Sequence, residues 1–401
     1  MRKFLVMSIL LAGFSATAQA QSTEPVRIGV LVDRSSVFSG ADGNGSILGA
    51  QMAVEDFGGK VLGRPVEIMP ADHQNKADIG ATIAREWIER YNVSAIAEGG
   101  NSSVAFAVQD IVRDRNAAFL NVNGTSSELS NKACTPKSVY WNIDTYALAK
   151  TIGTLVTKAG GDSWFFVTAD YTFGHALQND TTKMVTAAGG KVLGSAVHPF
   201  NNTDFASQLL QAQMSGAKVV AFADSATDFS AAMKQASEFG LASGGQKLVG
   251  LLVFINDIEA MGLKTAQGLE FASLGEWNSS PAMMAWSKKF MARYDLHMPP
   301  VPGHFGFYSV IRHYLEAVQA AGTLDAETVV AKMKEMPLDD FYAKGARFRA
   351  DGRLLADVHV VRVRKPSDVK EPYDYFDNIA VIKGEDAFRP VAESQCPLLK
   401  Q

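Results

Sequence analysis

Short apolar runs alternate with segments of helical periodicity along most of this chain. The first run, Val26–Val32, is followed by Ile47, Ala50, Val54 and Phe57, whose spacing places them on one face of a helix. The same order then recurs. Further strands of this first series are predicted at Val66–Met69, Val93–Ala97 and Ala118–Val122. Strands that alternate with helices in this way predict an α/β fold with parallel sheets.

The segment Tyr140–Ala149 interrupts the alternation, and a second series of strands follows it. These strands are predicted at Trp164–Thr168, Lys191–Val197, Val219–Ala223 and Leu248–Phe254. No clear residue-level repeat relates the two series. Their similar size nevertheless predicts two Rossmann-like lobes of the same architecture.

The last part of the chain is expected to join the two lobes. After a strand at Leu269–Ser273 the pattern becomes helical, and two more strands follow at Val358–Val363 and Asn378–Ile382. The chain therefore crosses between lobes more than once, which predicts a hinge. The expected division is a leader at 1–20, a first lobe of 21–143 with 275–357, a second lobe of 144–274 with 358–385, and a tail at 386–401.

The first twenty residues have the pattern of a secretory signal peptide. Arg2 and Lys3 precede an apolar run from Phe4 to Phe14, and Ala18-Gln19-Ala20 supplies a cleavage site after Ala20. The residue that follows is glutamine and not cysteine, so no lipid anchor is indicated and a diffusing periplasmic protein is expected. The alternative is an uncleaved membrane anchor, although the apolar run is too short to span a bilayer.

Composition indicates a folded protein with two domains. The chain has 401 residues, of which 47% are hydrophobic and 20% charged. Its formal net charge is -4 and becomes -6 when Arg2 and Lys3 are removed with the leader. No basic stripe suggests a nucleic-acid partner. Beyond the leader, no apolar stretch has membrane-spanning length.

The chain contains two cysteines, Cys134 and Cys396. In an oxidising compartment this number is sufficient for one bridge, so we expect a disulfide between them. Two separate buried thiols are the alternative, because sequence does not show whether the two residues meet.

Motifs of common enzyme classes are missing from the sequence. It has no G-x-S-x-G, no H-E-x-x-H, no Walker phosphate loop and no G-x-G-x-x-G. None of the seven histidines is paired at i, i+4 spacing, so neither a cofactor nor a metal is expected. Asp170 and His175 could form an acid-base pair, but residues in such positions more often serve as caps or pack in the core.

Two loops at the carboxyl ends of predicted strands are rich in small hydrogen-bonding residues. Asn101, Ser102 and Ser103 follow the strand Val93–Ala97, and Asn123 and Thr125 follow Ala118–Val122. Hydroxyls and free backbone N–H groups at the start of a helix favour a carboxylate. We therefore expect these loops to bind an anionic group. The alternative is that they only cap helices.

The second series of strands supplies apolar side chains that could face these loops across a cleft between the lobes. Tyr171 and Phe173 directly follow a strand and could close over an apolar ligand, or they could fill the core between the lobes. Phe254 adds apolar surface if the lobes face each other. The aromatic cluster of His304, Phe305, Phe307 and Tyr308 is expected to pack within the first lobe.

Several motifs in order resemble one protein family. They are Ile28-Gly29-Val30, the helix Gly49 to Asp56, the loops Asn101-Ser102-Ser103 and Asn123-Gly124-Thr125, and the turn Tyr171-Thr172-Phe173-Gly174. Together they resemble the type I periplasmic solute-binding proteins of the branched-chain amino-acid group, over essentially the whole chain after the leader. The resemblance implies two lobes that close on a ligand, an inner-membrane ABC permease and its ATPase as partners, no cofactor, and a monomer.

The resemblance also implies roles for individual residues. In the family, serine and threonine of the first-lobe loops hold the ligand carboxylate, and this role carries over to Ser102 and Thr125, with Ser103 beside them. Amino-acid binders also place an acid after a second-lobe strand to hold the ammonium group. Here Gly250–Phe254 contains no acid. Asp224 is a possible substitute, but the simpler inference is a ligand without an amine.

The expected ligand is an aromatic acid, benzoate-like or cinnamate-like. This rests on Leu252 and Phe254 and on the stretches Trp164–Gly174 and Glu393–Leu398, which are similar to a subgroup associated with lignin-type aromatic acids. The predicted ligand-binding residues are Asn101, Ser102, Ser103, Asn123, Thr125, Tyr171, Phe173, Asp224, Ser225, Leu252 and Phe254. Alternatives are a branched-chain amino-acid or amide binding protein, a ligand-sensing domain, and a periplasmic hydrolase.

Overall fold

A computed structural model describes residues 23–400, so the predicted leader at 1–20 lies outside the described residues. Its first part is a six-stranded sheet in the order β2-β3-β1-β4-β5-β6. The strands are β1 (Val26–Val32), β2 (Lys60–Val61), β3 (Arg64–Asp72), β4 (Val93–Glu98), β5 (Ala118–Asn121) and β6 (Ser138–Tyr140). All neighbours are parallel except the short pair of β2 and β3.

Helices cover both faces of this sheet. They are α1 (Gly43–Phe57), α2 (Ala77–Tyr91) and α3 (Ser102–Arg113). Along β1, Ile28 and Val30 pack into the core on the α1 side, whereas Leu31 packs with α2 and α3. Gly29 also faces α2, because a Cβ there would lie 2.3 Å from a ring carbon of Trp87. The strand therefore brings α2 close to the sheet by lacking a side chain at this position.

A second sheet has four parallel strands in the order β10-β9-β7-β8. Its strands are β7 (Ser163–Ala169), β8 (Lys191–His198), β9 (Val219–Ala223) and β10 (Lys247–Gly250). The helices of this part are α4 (Thr145–Leu148), α5 (Thr154–Lys158), α6 (Thr172–Ala187), α7 (Ala206–Met214), α8 (Ala226–Glu238), α9 (Ile255–Met261) and α10 (Leu263–Ala266). A π-helical turn, Ala149–Gly153, joins α4 to α5.

The remaining chain returns to the first sheet and then adds two strands to the second lobe. Strand β11 (Glu270–Ser273) is followed by α11 (Pro281–Arg293), α12 (Pro302–Ala321) and α13 (Ala326–Glu335), and α12 packs along α1. The hairpin of β12 (Arg347–Phe348) and β13 (Leu354–Leu355) comes next. The last elements are β14 (Val358–Val363), β15 (Phe376–Ile382) and α14 (Gly384–Ala387).

Strands β11, β14 and β15 form a separate antiparallel sheet. We call the six-stranded sheet with its helices the first lobe, and the four- and three-stranded sheets with theirs the second lobe. The chain passes between them three times, after β6, after β11 and after β13. This is the α/β architecture with a multi-crossing hinge that the sequence predicts. The residue boundaries predicted for the lobes stay a prediction.

One predicted strand extends too far. The run Leu248–Phe254 is a strand only as far as Gly250, and the rest forms a loop that leads into α9. The loop ends at Phe254, whose N–H donates to the Asp257 carboxylate at 2.8 Å and so begins the helix. Its residues are apolar because they face a cavity and the core, and not because they belong to a sheet.

The predicted disulfide between Cys134 and Cys396 is present, with 5.8 Å between the two Cα atoms. It fixes the end of the chain against the loop that follows Thr125. In the same region, Arg389 donates to Ser127 Oγ at 2.8 Å, and the N–H of Gln395 donates to Asn131 Oδ1 at 2.6 Å. The tail is thus attached to the first lobe by covalent and polar contacts.

Membrane-spanning helices are not found in residues 23–400, where no helix combines the required length and apolar character.

Candidate ligand-binding site

A cavity lies between the two lobes, at the carboxyl ends of strands from both. Its empty space is about 600 Å³, part of which is continuous with solvent. The residues that line it are Phe38, Ala41, Asp42, Gly100, Ser102, Asn123, Thr125, Asn142, Ile143, Tyr171, Phe173, Leu252, Val253, Phe254, Ala272, Ser273, Leu274 and Pro302. The position agrees with the general location of ligands in open parallel sheets.

The beginning of α3 forms one end of the cavity. Ser102 is the first residue of the helix, and its Oγ accepts a hydrogen bond from the N–H of Ser126 at 3.1 Å. Because the hydroxyl accepts here, its own proton is free to be donated to a ligand. Thr125 lies on the neighbouring loop, and its carbonyl accepts from the N–H of Thr145 at 2.8 Å. The Ser102 side chain and the Thr125 backbone are thus each held by a backbone N–H of a neighbouring segment.

Asn101 supports this end without lining it. Its side-chain oxygen accepts from the N–H groups of Ser103 at 2.7 Å and Val104 at 3.4 Å, which makes it the N-cap of α3. The first turn of α3 carries no acidic residue. No acidic residue of the helix itself therefore offsets the positive end of its dipole, which favours an anion.

Asp42 lines the cavity and was missed by the sequence analysis. Its carboxylate is almost completely buried and accepts hydrogen bonds from the Asp33 N–H at 3.0 Å, Ser46 Oγ at 2.9 Å and Asn123 Nδ2 at 3.4 Å. Burial outweighs these donors and raises the pKa of Asp42 to about 7. Its place directly before α1, in the loop after the first strand, was the signal that could have identified it.

Asn142 is a second residue that sequence reasoning missed. Its Nδ2 donates to Asn123 Oδ1 at 3.0 Å, and its Oδ1 accepts from the Tyr342 hydroxyl at 3.3 Å. Asp42, Asn123 and Asn142 thus form a connected polar strip on the first-lobe side. Asn142 lies in the first crossing between the lobes, the segment that interrupts the strand and helix pattern, so periodicity gave no sign of its role.

The second lobe supplies an apolar wall. The rings of Tyr171 and Phe173 have centroids 5.8 Å apart, and Leu252 and Phe254 come from the loop after β10. Tyr171 also makes an edge-to-face contact with Phe200 at 5.0 Å. All four lining side chains were predicted as site residues, and the structure brings them together with Ser102, Asn123 and Thr125.

Besides Asn101, three further predicted residues lie outside the lining. Ser103 Oγ instead donates to Thr172 Oγ1 at 2.8 Å and links the two lobes. Ser225 Oγ donates to the carbonyl of Leu252 at 3.0 Å and fixes the apolar loop. Asp224 is fully buried, with a carboxylate oxygen 3.4 Å from His198 Nε2. Burial raises the pKa of Asp224, although His198 opposes that shift.

The acid-base pair considered from the sequence lies on the surface. His175 Nε2 is 2.8 Å from Asp170 Oδ1, and the side chains of His175 and Asp170 are 48% and 58% exposed. Neither residue lines the cavity. The aromatic cluster of α12 is buried in the first lobe, where the ring of His304 packs so close to Gly45 that a Cβ there would lie 2.4 Å from it.

Metal-site geometry is likewise not seen within residues 23–400, where no three His, Cys, Asp or Glu side chains converge as metal ligands would.

Known proteins similar to this chain share its fold over nearly its full length. No curated protein sequence matches it. A periplasmic binding protein from Burkholderia mallei is 43% identical, covers 94% of this chain and 100% of its own, and superposes with a TM-score of 0.91. A branched-chain amino acid ABC transporter periplasmic ligand-binding protein from Burkholderia xenovorans is 35% identical. It covers 93% of this chain and 100% of its own, and it superposes with a TM-score of 0.82.

A third structure shows the shared fold alone. It is a solute-binding protein of an ABC transporter from Rhodopseudomonas palustris in complex with 3,4-dihydroxybenzoic acid, 19% identical over 92% of this chain and 100% of its own, with a TM-score of 0.82. The family model described as periplasmic binding protein matches residues 25–368. With this match and the identity to the Burkholderia proteins, the chain belongs to the periplasmic binding proteins of ABC transporters.

Proposed function

We propose that this protein captures a small aromatic carboxylic acid between its lobes and delivers it to the permease of an ABC importer. One observation carries the proposal: the cavity lining combines hydroxyls at a helix N-terminus of the first lobe with aromatic rings of the second lobe. Ser102 and Thr125 would donate to the carboxylate, and Tyr171, Phe173 and Phe254 would enclose the ring. The Rhodopseudomonas palustris complex with a dihydroxybenzoic acid supports this choice of ligand class.

The second-lobe wall favours a ligand without an amine. Leu252 and Val253 line the cavity at the place where amino-acid binders of the family carry an acid. An ammonium group placed against these side chains would lose hydration without gaining a partner. Asp224 does not line the cavity, so it offers no replacement in this conformation.

A branched-chain amino acid is the second candidate, and Asp42 is the observation in its favour. Asp42 supplies a carboxyl group to the lining from the first lobe, where it could accept an ammonium group. Its two oxygens already accept three hydrogen bonds from the protein, which leaves less capacity for a further donor. The similar Burkholderia xenovorans protein, a branched-chain amino acid ABC transporter periplasmic ligand-binding protein, also supports an amino-acid ligand.

We propose that the protein acts in the periplasm. The leader pattern at 1–20 and the family both support export across the inner membrane. We propose that the closed protein binds an inner-membrane permease and its ATPase as a monomer. Closure would be a population shift driven by ligand contacts that exist only when both lobes meet.

A thermal-unfolding panel tests the ligand class. The protein without its leader is measured with benzoate, 4-hydroxybenzoate, p-coumarate, leucine and a simple amide. A ligand present at a thousand times its Kd stabilises the folded state by about 4 kcal/mol, which is readily seen as a shift in Tm. We expect aromatic acids to raise Tm and leucine to leave it unchanged. Stabilisation by leucine alone would select the amino-acid candidate.

Removing the two hydroxyls tests the carboxylate end. Ser102→Ala combined with Thr125→Ala deletes two hydrogen bonds to a charged group, each worth roughly 1.5 to 3 kcal/mol. We therefore expect affinity for the best aromatic acid to fall by about 100-fold or more in titration calorimetry. Ser130→Ala is the matched control, because Ser130 is a buried hydroxyl close to the same loop but outside the lining. Unchanged affinity in the double variant would remove these residues from the site.

A further inference from the structure

The cavity would bind an anion without a basic side chain. Among the described residues that line it there is no lysine, arginine or histidine, and Asp42 is the one carboxyl group. Arg34, on the same loop as Asp42, is exposed and donates to Asn44 Oδ1 at 3.0 Å. A carboxylate ligand would therefore meet a second carboxyl group and no counter-ion.

Asp42 lies close to the proposed carboxylate position. Its carboxyl group packs against the loop before α3, where a Cβ on Gly100 would lie 2.8 Å from Asp42 Oδ2 and a Cβ on Gly99 2.3 Å from Oδ1. Gly100 lines the cavity and is separated from Ser102 by one residue. An ionised Asp42 would repel an anion bound at the start of α3 through a buried and poorly screened space.

The groups packed around Asp42 do not supply positive charge. Asp33 contributes a backbone N–H from the end of β1, but its side chain is another carboxylate. Glu98, at the end of β4, is fully buried, and neither of its carboxyl oxygens has a hydrogen-bond partner among the described residues. Burial, reinforced by Asp42, raises the pKa of Glu98 well above its usual value.

The histidines and the tyrosine near Asp42 are also neutral. From α12, His304 Nε2 lies 3.2 Å from the Asp42 carbonyl oxygen, and burial lowers the pKa of His304 to about 3. His73 Nε2 lies 2.7 Å from the Gly99 carbonyl oxygen, and burial lowers its pKa as well. Tyr294, which follows α11, has its pKa raised to about 12, mainly by burial. Within residues 23–400, Asp42 therefore has no cationic neighbour that would keep it ionised beside an anion.

We propose that Asp42 takes up one proton from solvent when a carboxylate ligand binds, so that the protein captures the anion together with a proton. The proton stays on the Asp42 carboxyl group, and no bond in the ligand changes. This inference rests on the proposed function, because a ligand with an ammonium group would instead favour the ionised form of Asp42.

The proposal predicts the direction of the pH dependence. Burial raises the pKa of Asp42 to about 7, so close to neutral pH part of the population is ionised. If only the protonated form accepts the anion, the apparent Kd rises with pH above that value. Between about pH 6 and pH 8, affinity should fall by about tenfold while the ligand itself stays ionised.

Titration calorimetry measures the proton directly. 4-Hydroxybenzoate, or the aromatic acid that gives the largest Tm shift, is titrated at about pH 7.5 in buffers that differ in ionisation enthalpy. The dependence of the observed heat on the buffer gives the number of protons taken up per ligand. We expect an uptake of about 0.5 or more protons at this pH, approaching one at higher pH.

Two variants assign the proton to a residue. Asp42→Asn removes the titrating group and should abolish both the proton uptake and the tenfold pH dependence. Glu98→Gln is the matched control, because Glu98 is an equally buried carboxyl group that does not line the cavity and should retain the uptake. Loss of the uptake in Glu98→Gln with its retention in Asp42→Asn would overturn the assignment to Asp42.

The wild-type protein alone can also refute the idea, so the test does not depend on the variants folding. Binding of an aromatic acid with no proton uptake would overturn the proton coupling and leave the proposed function intact. Binding of leucine with release of a proton would show an ionised Asp42 paired with an ammonium group and would overturn both. Absence of binding by every aromatic acid would refute the proposed function and, with it, this inference.

Discussion

At the scale of single residues, Asp42 shows how burial can dominate over hydrogen bonding. Three donors surround its carboxylate and favour the charged form, yet the loss of water raises its pKa to about 7. The folded protein thus holds this proton more tightly than the unfolded chain, where an aspartate has a pKa of about 3.9. Folding stability must then depend on pH through this residue.

The raised pKa of Asp42 makes the folding stability of the protein fall as pH rises. The contribution of Asp42 is fully present below the pKa of the unfolded chain and is lost as pH rises towards its folded value of about 7. Between about pH 6 and pH 8, the free energy of unfolding should fall by roughly 1 to 2 kcal/mol through Asp42 alone. Denaturant unfolding of the ligand-free protein at both pH values measures this loss.

Asp42→Asn should lack that part of the pH dependence. We expect the difference in unfolding free energy between about pH 6 and pH 8 to shrink by roughly 1 to 2 kcal/mol in this variant. Glu238→Gln, at an exposed position on α8, is the control and should behave as the wild type does. Equal pH dependence in Asp42→Asn and wild type would contradict a raised pKa at this residue.

The candidate site was predictable where residues follow the end of a strand. Ser102, Thr125 and Tyr171 were selected because strand ends converge at one edge of each sheet, and all three line the cavity. Asn142 was missed because it lies in a crossing segment that has no periodic pattern. Asp224 also follows a strand, but its side chain lies next to His198 and away from the cavity, a direction that strand position alone does not specify.

At the scale of elements, the loop between β1 and α1 joins the two lobes. Asp33 shapes the loop by accepting hydrogen bonds from the N–H groups of Ser36 at 2.9 Å and Phe38 at 2.8 Å. Phe38 then packs with Phe200 of the second lobe at a ring separation of 6.1 Å, and it also lines the cavity. Val37 and Ala226 complete this small apolar cluster between the lobes.

Shortening Phe38 should accelerate ligand release. Phe38→Ala removes an aromatic contact that forms only when the lobes meet, so the closed state loses more stability than the open state. We expect the dissociation rate to rise by about tenfold or more and the association rate to change much less, because most interface variants act on dissociation. Stopped-flow displacement with the best aromatic acid measures both rates.

Phe239→Ala is the control for that experiment. Phe239 is an aromatic residue of the second lobe that is 40% exposed and does not line the cavity, so its removal should leave both rates unchanged. A Phe38→Ala protein that releases ligand at the wild-type rate would show that the loop between β1 and α1 does not hold the lobes together.

The elements themselves were largely predictable from periodicity. Val26–Val32, Val219–Ala223 and Val358–Val363 were predicted with the bounds that β1, β9 and β14 have. Strands of two or three residues, such as β6, were missed because so few positions show no period. The overextension of β10 has a different cause, since a buried loop carries the same continuous apolar run as a buried strand.

At the scale of the whole molecule, polar contacts connect the lobes across the cavity. Asn256 Nδ2 donates to the Gly40 carbonyl at 2.5 Å, and Ser103 Oγ donates to Thr172 Oγ1 at 2.8 Å. Neither Asn256 nor Thr172 lines the cavity, so these contacts report on closure and not on ligand recognition. They are expected to break if the lobes separate to admit a ligand.

A pair of cysteines can detect that closure. In Ser103→Cys combined with Thr172→Cys, the two thiols would replace hydroxyl oxygens that are 2.8 Å apart, so a disulfide can form when the lobes are closed. Cys134 and Cys396 are already bonded to each other, which leaves the introduced thiols as the reactive ones in residues 23–400. We expect an aromatic acid that binds to increase the rate of cross-linking, measured by non-reducing electrophoresis.

A bound ligand should increase the rate of cross-linking because the disulfide forms only in molecules whose lobes are closed. A ligand that contacts both lobes shifts the equilibrium towards the closed state by its differential affinity for that state, so the fraction of time the thiols spend together rises with occupancy. Ser103→Cys alone should give no intramolecular product. Cross-linking at equal rates with and without a ligand that raises Tm would mean that binding does not draw the lobes together, and the ligand would then be held by a cleft already closed in the free protein.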